Sequence, residues 1–109
     1  MATSQQFIEF VTEQIGGEYS ARYKKMFGEY MVYVNDKPVL LVCDDTVYVK
    51  KLPEIDGLMK DSPCGIPYAG SKEHYILDPE NVELFESAIA ILEKITPLPV
   101  KRNKTKKTS

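Results

Sequence analysis

The sequence predicts an α+β domain: an antiparallel β-meander with one helix before it and one after it. Three observations predict it. Between Arg22 and Lys50 lie short apolar runs rich in Val and Tyr. Asn35-Asp36-Lys37 and Asp44-Asp45 interrupt those runs with residues that tolerate positive φ and bond their own backbone. On either side, apolar residues recur at helical rather than strand spacing.

The first helix is expected over Ser4 to Ile15. Ser4 can accept a hydrogen bond from an unsatisfied first-turn N–H. Phe7, Ile8, Val11 and Ile15 form one face, and Gly16-Gly17 supplies a left-handed residue for the stop. In the meander, alternation puts Tyr30, Val32 and Val34 on one side and Met31 and Tyr33 on the other. The run Pro38–Cys43 is apolar on both sides, so both sides are expected to be covered, by helices or by a second subunit. Pro53 to Lys60 reads as a short helix with Pro53 in its first turn. Pro63 to Pro67 reads as loop, and His74 to Leu77 as a last strand. Asp78 is expected to cap the final helix, with Pro79 at its first position. Val82, Leu84, Phe85, Ala88, Ile89, Ile91, Leu92 and Ile95 share half of that helix, which Thr96-Pro97 ends.

The chain has 109 residues, 43% of them apolar, enough for one domain with a core that needs neither disulfide nor metal. Its net charge of −2 conceals a division. Lys101, Arg102, Lys104, Lys106 and Lys107 lie in the last nine positions, leaving nine basic against sixteen acidic residues in 1–100, a charge of −7. Residues 1–100 are therefore read as the domain, and 101–109 as a disordered basic tail with a weak, salt-sensitive capacity for nucleic acid. No run approaches the ~18 apolar residues of a membrane span, and the N-terminus lacks the pattern of a signal peptide. A soluble cytoplasmic protein is expected, with no membrane partner.

Chemistry-bearing residues are sparse. Cys43 and Cys64 are too far apart in sequence for a metal knuckle or a redox pair, and are expected to be free thiols. A cysteine enzyme or small-molecule site would require Cys64 to meet His74, the single histidine. Asp44-Asp45 alone offers too few oxygens for a hard cation. Tyr23, Tyr30, Tyr33, Tyr48, Tyr68 and Tyr75 could form a stacking surface for single strands, but an acidic body argues for half-buried sheet tyrosines instead. Neither a catalytic residue nor a cofactor or metal is expected.

The block Arg22-x-x-Lys25-Met26-Phe27-Gly28-Glu29-Tyr30, with Tyr33 and then Asp45, Tyr48 and Lys50 downstream, resembles the N-terminal domain of the bacterial TfoX/Sxy family. The likeness continues through Pro67-Tyr68, Gly70 and Lys72 to a Leu98-Pro99 exit. Met31 departs from it, standing where that family commonly has Gly. The resemblance implies an α+β domain without catalytic residues. It also implies a regulatory or adaptor role in transcription of competence genes, here without the helical second domain of longer members. The expected mode of action is protein–protein contact, with a homodimer or partner protein at Met31, Tyr33, Leu40, Val42 and Tyr48.

Overall fold

The computed structural model describes residues 4–17, 19–26 and 29–98. The order of elements is α1 (Gln5–Ile15), β1 (Ala21–Met26), β2 (Glu29–Val34), β3 (Lys37–Cys43), β4 (Thr46–Lys50), α2 (Pro53–Met59), β5 (Cys64–Gly65), β6 (His74–Leu77) and α3 (Val82–Ile95). The strands form one six-stranded antiparallel sheet in the order β1-β2-β3-β4-β6-β5. The α+β expectation holds, with helices at both ends of the meander in the chain.

Turn chemistry sets the meander. Asn35 and Asp36, then Asp44 and Asp45, all have positive φ. That is the backbone of two-residue hairpin turns whose twist matches the flanking strands. Asn35 does more than turn: its side-chain oxygen accepts from the Ser20 N–H at 2.9 Å, and its amide nitrogen donates to Glu93 at 3.2 Å. The β3–β4 turn also anchors α1. Asp45 Oδ1 accepts from the Ser4 N–H at 2.8 Å, while Ser4 Oγ caps the helix by accepting from Phe7 N. The predicted stop is present, with Gly16 at φ +88°.

The three helices described lie on one side of the sheet. Ile8, Val11 and Ile15 of α1, Ile55 and Met59 of α2, and Phe85, Ala88, Ile89 and Leu92 of α3 join one core. Opposite them stand Val32, Val34, Leu40, Val42, Val47, Val49, Tyr75 and Leu77 from four strands. Each large side chain fully buried there contributes about 1.5–3 kcal/mol before conformational entropy is subtracted. The expectation that helices might cover both sides of β3 is thereby corrected: among the described residues, no helix lies on the second side.

A bulge interrupts the pairing of β2 with β3. Val32 pairs with Leu40 but Tyr33 pairs with Pro38, so Val39 has no partner. The extra residue restores Lys37 to the helix side, where its ammonium reaches the Glu93 carboxylate at 3.2 Å and the Glu93 carbonyl at 2.8 Å.

Two boundaries differ from expectation. Asp78 does not cap α3. Its carboxylate accepts from the Glu80 N–H at 2.9 Å and its carbonyl from the Asn81 N–H at 3.1 Å, a turn that delays the helix. Asn81 is the cap instead, accepting from Leu84 N at 3.3 Å. Val82, predicted on the apolar half, is consequently exposed. Pro63 to Pro67 is not wholly loop either. Cys64 and Gly65 pair with Tyr75 and His74, and the Pro63 carbonyl accepts from Ile76 N at 2.8 Å.

Candidate functional site

The side of the sheet away from the helices can be assembled row by row from strand register, because partners in antiparallel strands share a side. The middle row runs Lys24, Met31, Leu41, Tyr48, Ile76 across five strands. Met31, Leu41, Tyr48 and Ile76 are all half-buried. A row at one end contains Arg22, Tyr33 and Pro38 on three strands, with Lys50 and His74 on two others. The row at the other end holds Glu29, Cys43 and Thr46, beside the Asp44-Asp45 turn.

Interactions among these residues agree with the rows. The Arg22 guanidinium lies 4.5 Å from the centre of the Tyr33 ring, and its Nε is 3.3 Å from Asp36. Tyr48 and His74 meet edge to face at 6.4 Å. Burial, followed by a hydrogen bond to Glu29, pushes the Cys43 thiol up to about 12. A thiol held protonated is a poor nucleophile, so Cys43 packs rather than reacts.

A groove of about 540 Å³ opens at the Pro38 end of the sheet, lined by Met31, Leu41, Tyr48 and His74 from the open side and by Leu40, Leu92 and Ile95, with Thr96 and Pro97, from the helix side. Tyr68, in its lining, is half-exposed. The described chain thus ends, at Leu98, next to the groove. Glu9, Glu13, Glu83 and Glu86 ride exposed on α1 and α3, together with Lys94, whereas Arg22, Lys24 and Lys50 are exposed on the open side, which also carries Glu29.

The structure separates several residues that the sequence pattern joins. Leu40 and Val42, expected at an interface with Met31, Tyr33 and Tyr48, are 1% and 0% exposed and belong to the core. Leu41 takes their place. Cys64 and His74 are brought to adjacent strands but opposite sides, since Cys64 pairs with Tyr75 and Gly65 with His74. His74 Nδ1 is engaged with the Lys72 carbonyl at 2.7 Å. The tyrosines divide too. Tyr23 and Tyr30 stack edge to face at 5.3 Å and pack against the helix-side core, where Tyr75 donates to Asp56 at 2.7 Å. Of the six, Tyr33, Tyr48 and Tyr68 remain for the open side.

Of the motif residues, Arg22, Tyr33, Tyr48 and Lys50 meet on the open side. Lys25 is exposed on the edge strand, and Asp45 holds α1. Met26 is placed by its backbone pairing with Glu29. Phe27, Gly28 and the basic residues Lys101, Arg102, Lys104, Lys106 and Lys107 lie outside the described residues.

A second polar group sits on the helix side near the sheet edge. Lys51 reaches Glu73 at 2.7 Å and lies over the Tyr75 ring. The Glu73 hydrogen bond, with a further one to Cys64, raises the Lys51 ammonium, and the Asp56 hydrogen bond raises Tyr75. Both move away from neutral pH, the direction opposite to that which would ready a general base. Among the described residues no three potential ligands cluster to hold a metal, and no helix is long and apolar enough to cross a membrane.

Over 110 residues the chain is 30% identical to an uncharacterized 12.7 kDa protein in the trpE 5′ region of Spirochaeta aurantia, spanning 99% of this chain and 96% of that one. No family model and no solved structure matches it.

Proposed function

The chain belongs to one family with that spirochaete protein, and within it we propose that the domain is a non-enzymatic adaptor whose open sheet side docks protein. One observation carries the reading. Three helices crowd one side of the sheet, while the other presents Met31, Leu41, Tyr48 and Ile76 in a row with Arg22 and Tyr33 beside it. Aromatic residues, Met and Arg are the types enriched where proteins meet. Half-buried apolar side chains gain further from water exclusion only if something covers them.

The TfoX/Sxy likeness supports a regulatory purpose for that docking, in transcription of competence genes. Four residues of its motif, Arg22, Tyr33, Tyr48 and Lys50, lie on the open side, and so does Met31, where this chain departs from the likeness.

The test is comparative affinity capture with the full chain as bait. Leu41→Asp places a charge in the groove while leaving the helix-side core intact; Glu86→Lys alters an exposed position on α3 as a control. The reading expects proteins retained by the unmodified chain and by Glu86→Lys to be lost with Leu41→Asp. An identical set on all three baits overturns it. A melting curve for Leu41→Asp within a few degrees of the parent's separates lost docking from lost folding.

A further inference from the structure

Resting on the docking reading above, we infer that the occupant of the open side is a second copy of this chain, packed face to face about a two-fold axis that runs along the apolar row. The argument is one of charge placement. The face is polar along the strand direction: Lys50 and Arg22, the latter ion-paired with Asp36, stand at one end, and Glu29 beside the Asp44-Asp45 turn at the other. Between them lies the row Met31, Leu41, Tyr48, Ile76.

A two-fold pair buries the same patch from both copies, so the patch must complement itself. Face-to-face packing puts the axis in the plane between the sheets. With the axis along the strands, each basic end would lie on the other basic end, and like-charge contact costs affinity. With the axis along the apolar row, strand direction reverses between copies. Leu41 then lies over the partner's apolar row, and the Arg22 end of each copy lies over the Glu29 end of the other. Face-to-face sheets cross at about 30°, which brings Glu29 of one copy within range of Arg22 and Tyr33 of the other.

The acidic helices of α1 and α3 face away from the partner in this arrangement. Neither copy therefore brings its most negative side into the contact.

Sedimentation velocity over a dilution series tests this on the full chain. The unmodified chain is expected to pass from one to two copies as concentration rises, and Leu41→Asp to remain a single copy. Arg22→Glu alone and Glu29→Arg alone should each loosen the pair by about tenfold or more. Combining them in one chain should restore most of the association, because each copy then offers the reversed charges to the other. Lost association without recovery in the combined variant overturns the orientation. An unmodified chain that stays single at every concentration overturns the second copy as occupant. If Leu41→Asp still abolishes capture in that case, the docking reading survives and the partner is another protein. A single-copy chain whose sedimentation shifts with a single-stranded oligonucleotide overturns the inference in favour of a nucleic-acid ligand. A dimer indifferent to Leu41→Asp pairs through some other surface and also overturns it.

Discussion

The two sides of the sheet share strands but not their physics. On the helix side, Val32, Val34, Leu40, Val42, Val47 and Val49 are at most 1% exposed and packed by side chains from three helices. On the other side their immediate neighbours, Met31, Tyr33, Leu41 and Tyr48, have comparable hydrophobic character and are incompletely buried. The first side supplies stability to a single chain. The second is apolar but less completely buried within that chain. Adjacent residues on β3 express it most directly: Leu40 is sealed, and Leu41 opens onto the groove.

The largest expected effect breaks the covered side. Phe85 is fully buried, and Phe85→Ala should cost about 3–5 kcal/mol, read as a lower urea midpoint with little change in slope. Leucines on the two sides offer the sharpest contrast. Leu40→Ala should cost about 2–5 kcal/mol, as buried Leu→Ala changes do, whereas Leu41→Ala should cost markedly less when measured at high dilution. Equal losses at both positions would erase the distinction between the sides.

A smaller effect concerns how the meander is held to the helix layer. Asn35 combines φ +51° with its bonds to Ser20 and Glu93. Asn35→Gly removes the bonds but keeps the backbone permissive. Asn35→Ala also imposes left-handed strain, which adds about 1–2 kcal/mol. Chemical denaturation of the two variants should place Ala below Gly by about that amount.

The smallest effect is electrostatic. Hydrogen bonds from Asn35 and then Lys37 hold the Glu93 carboxyl below its ordinary range. A folded-state value below the unfolded one means that the stabilisation is complete above the unfolded value of about 4.3 and is lost as pH falls through the folded value. Thermal melts of Glu93→Gln across the acid range should show a shallower decline than the parent below pH ~4.3. A parallel decline would remove Glu93 from that account.

Much of this fold is legible in the sequence because local chemistry agrees with the whole. Two-residue turns built on Asn and Asp specify the hairpins, and Ser4 specifies the start of α1. What stays hidden lies in register. A run such as Pro38–Cys43 is apolar at every position, so alternation cannot say which side meets the helices. Sequence pattern therefore assigns Leu40 and Val42 to the contact and passes over Leu41. The bulge at Val39 compounds this, because one extra residue exchanges sides for everything before it. β5 escapes notice because two residues between prolines carry no periodicity, and its pairing is dictated by β6. The start of α3 is ambiguous because Asp-Pro suits both a helix cap and the turn that Asp78 forms. The candidate site is legible only in its ingredients; pairing alone shows that Lys24, Met31, Leu41, Tyr48 and Ile76 line up.

Hydroxyl-radical footprinting of the full chain across a concentration series tests the open side most directly. The account predicts that modification of Met31, Tyr33 and Tyr48 falls as the chain is concentrated, while that of Tyr23 and Tyr30 is unchanged. Protection that appears on α1 and α3 instead, or that never appears at Met31 and Tyr48, would contradict pairing of two copies through that side.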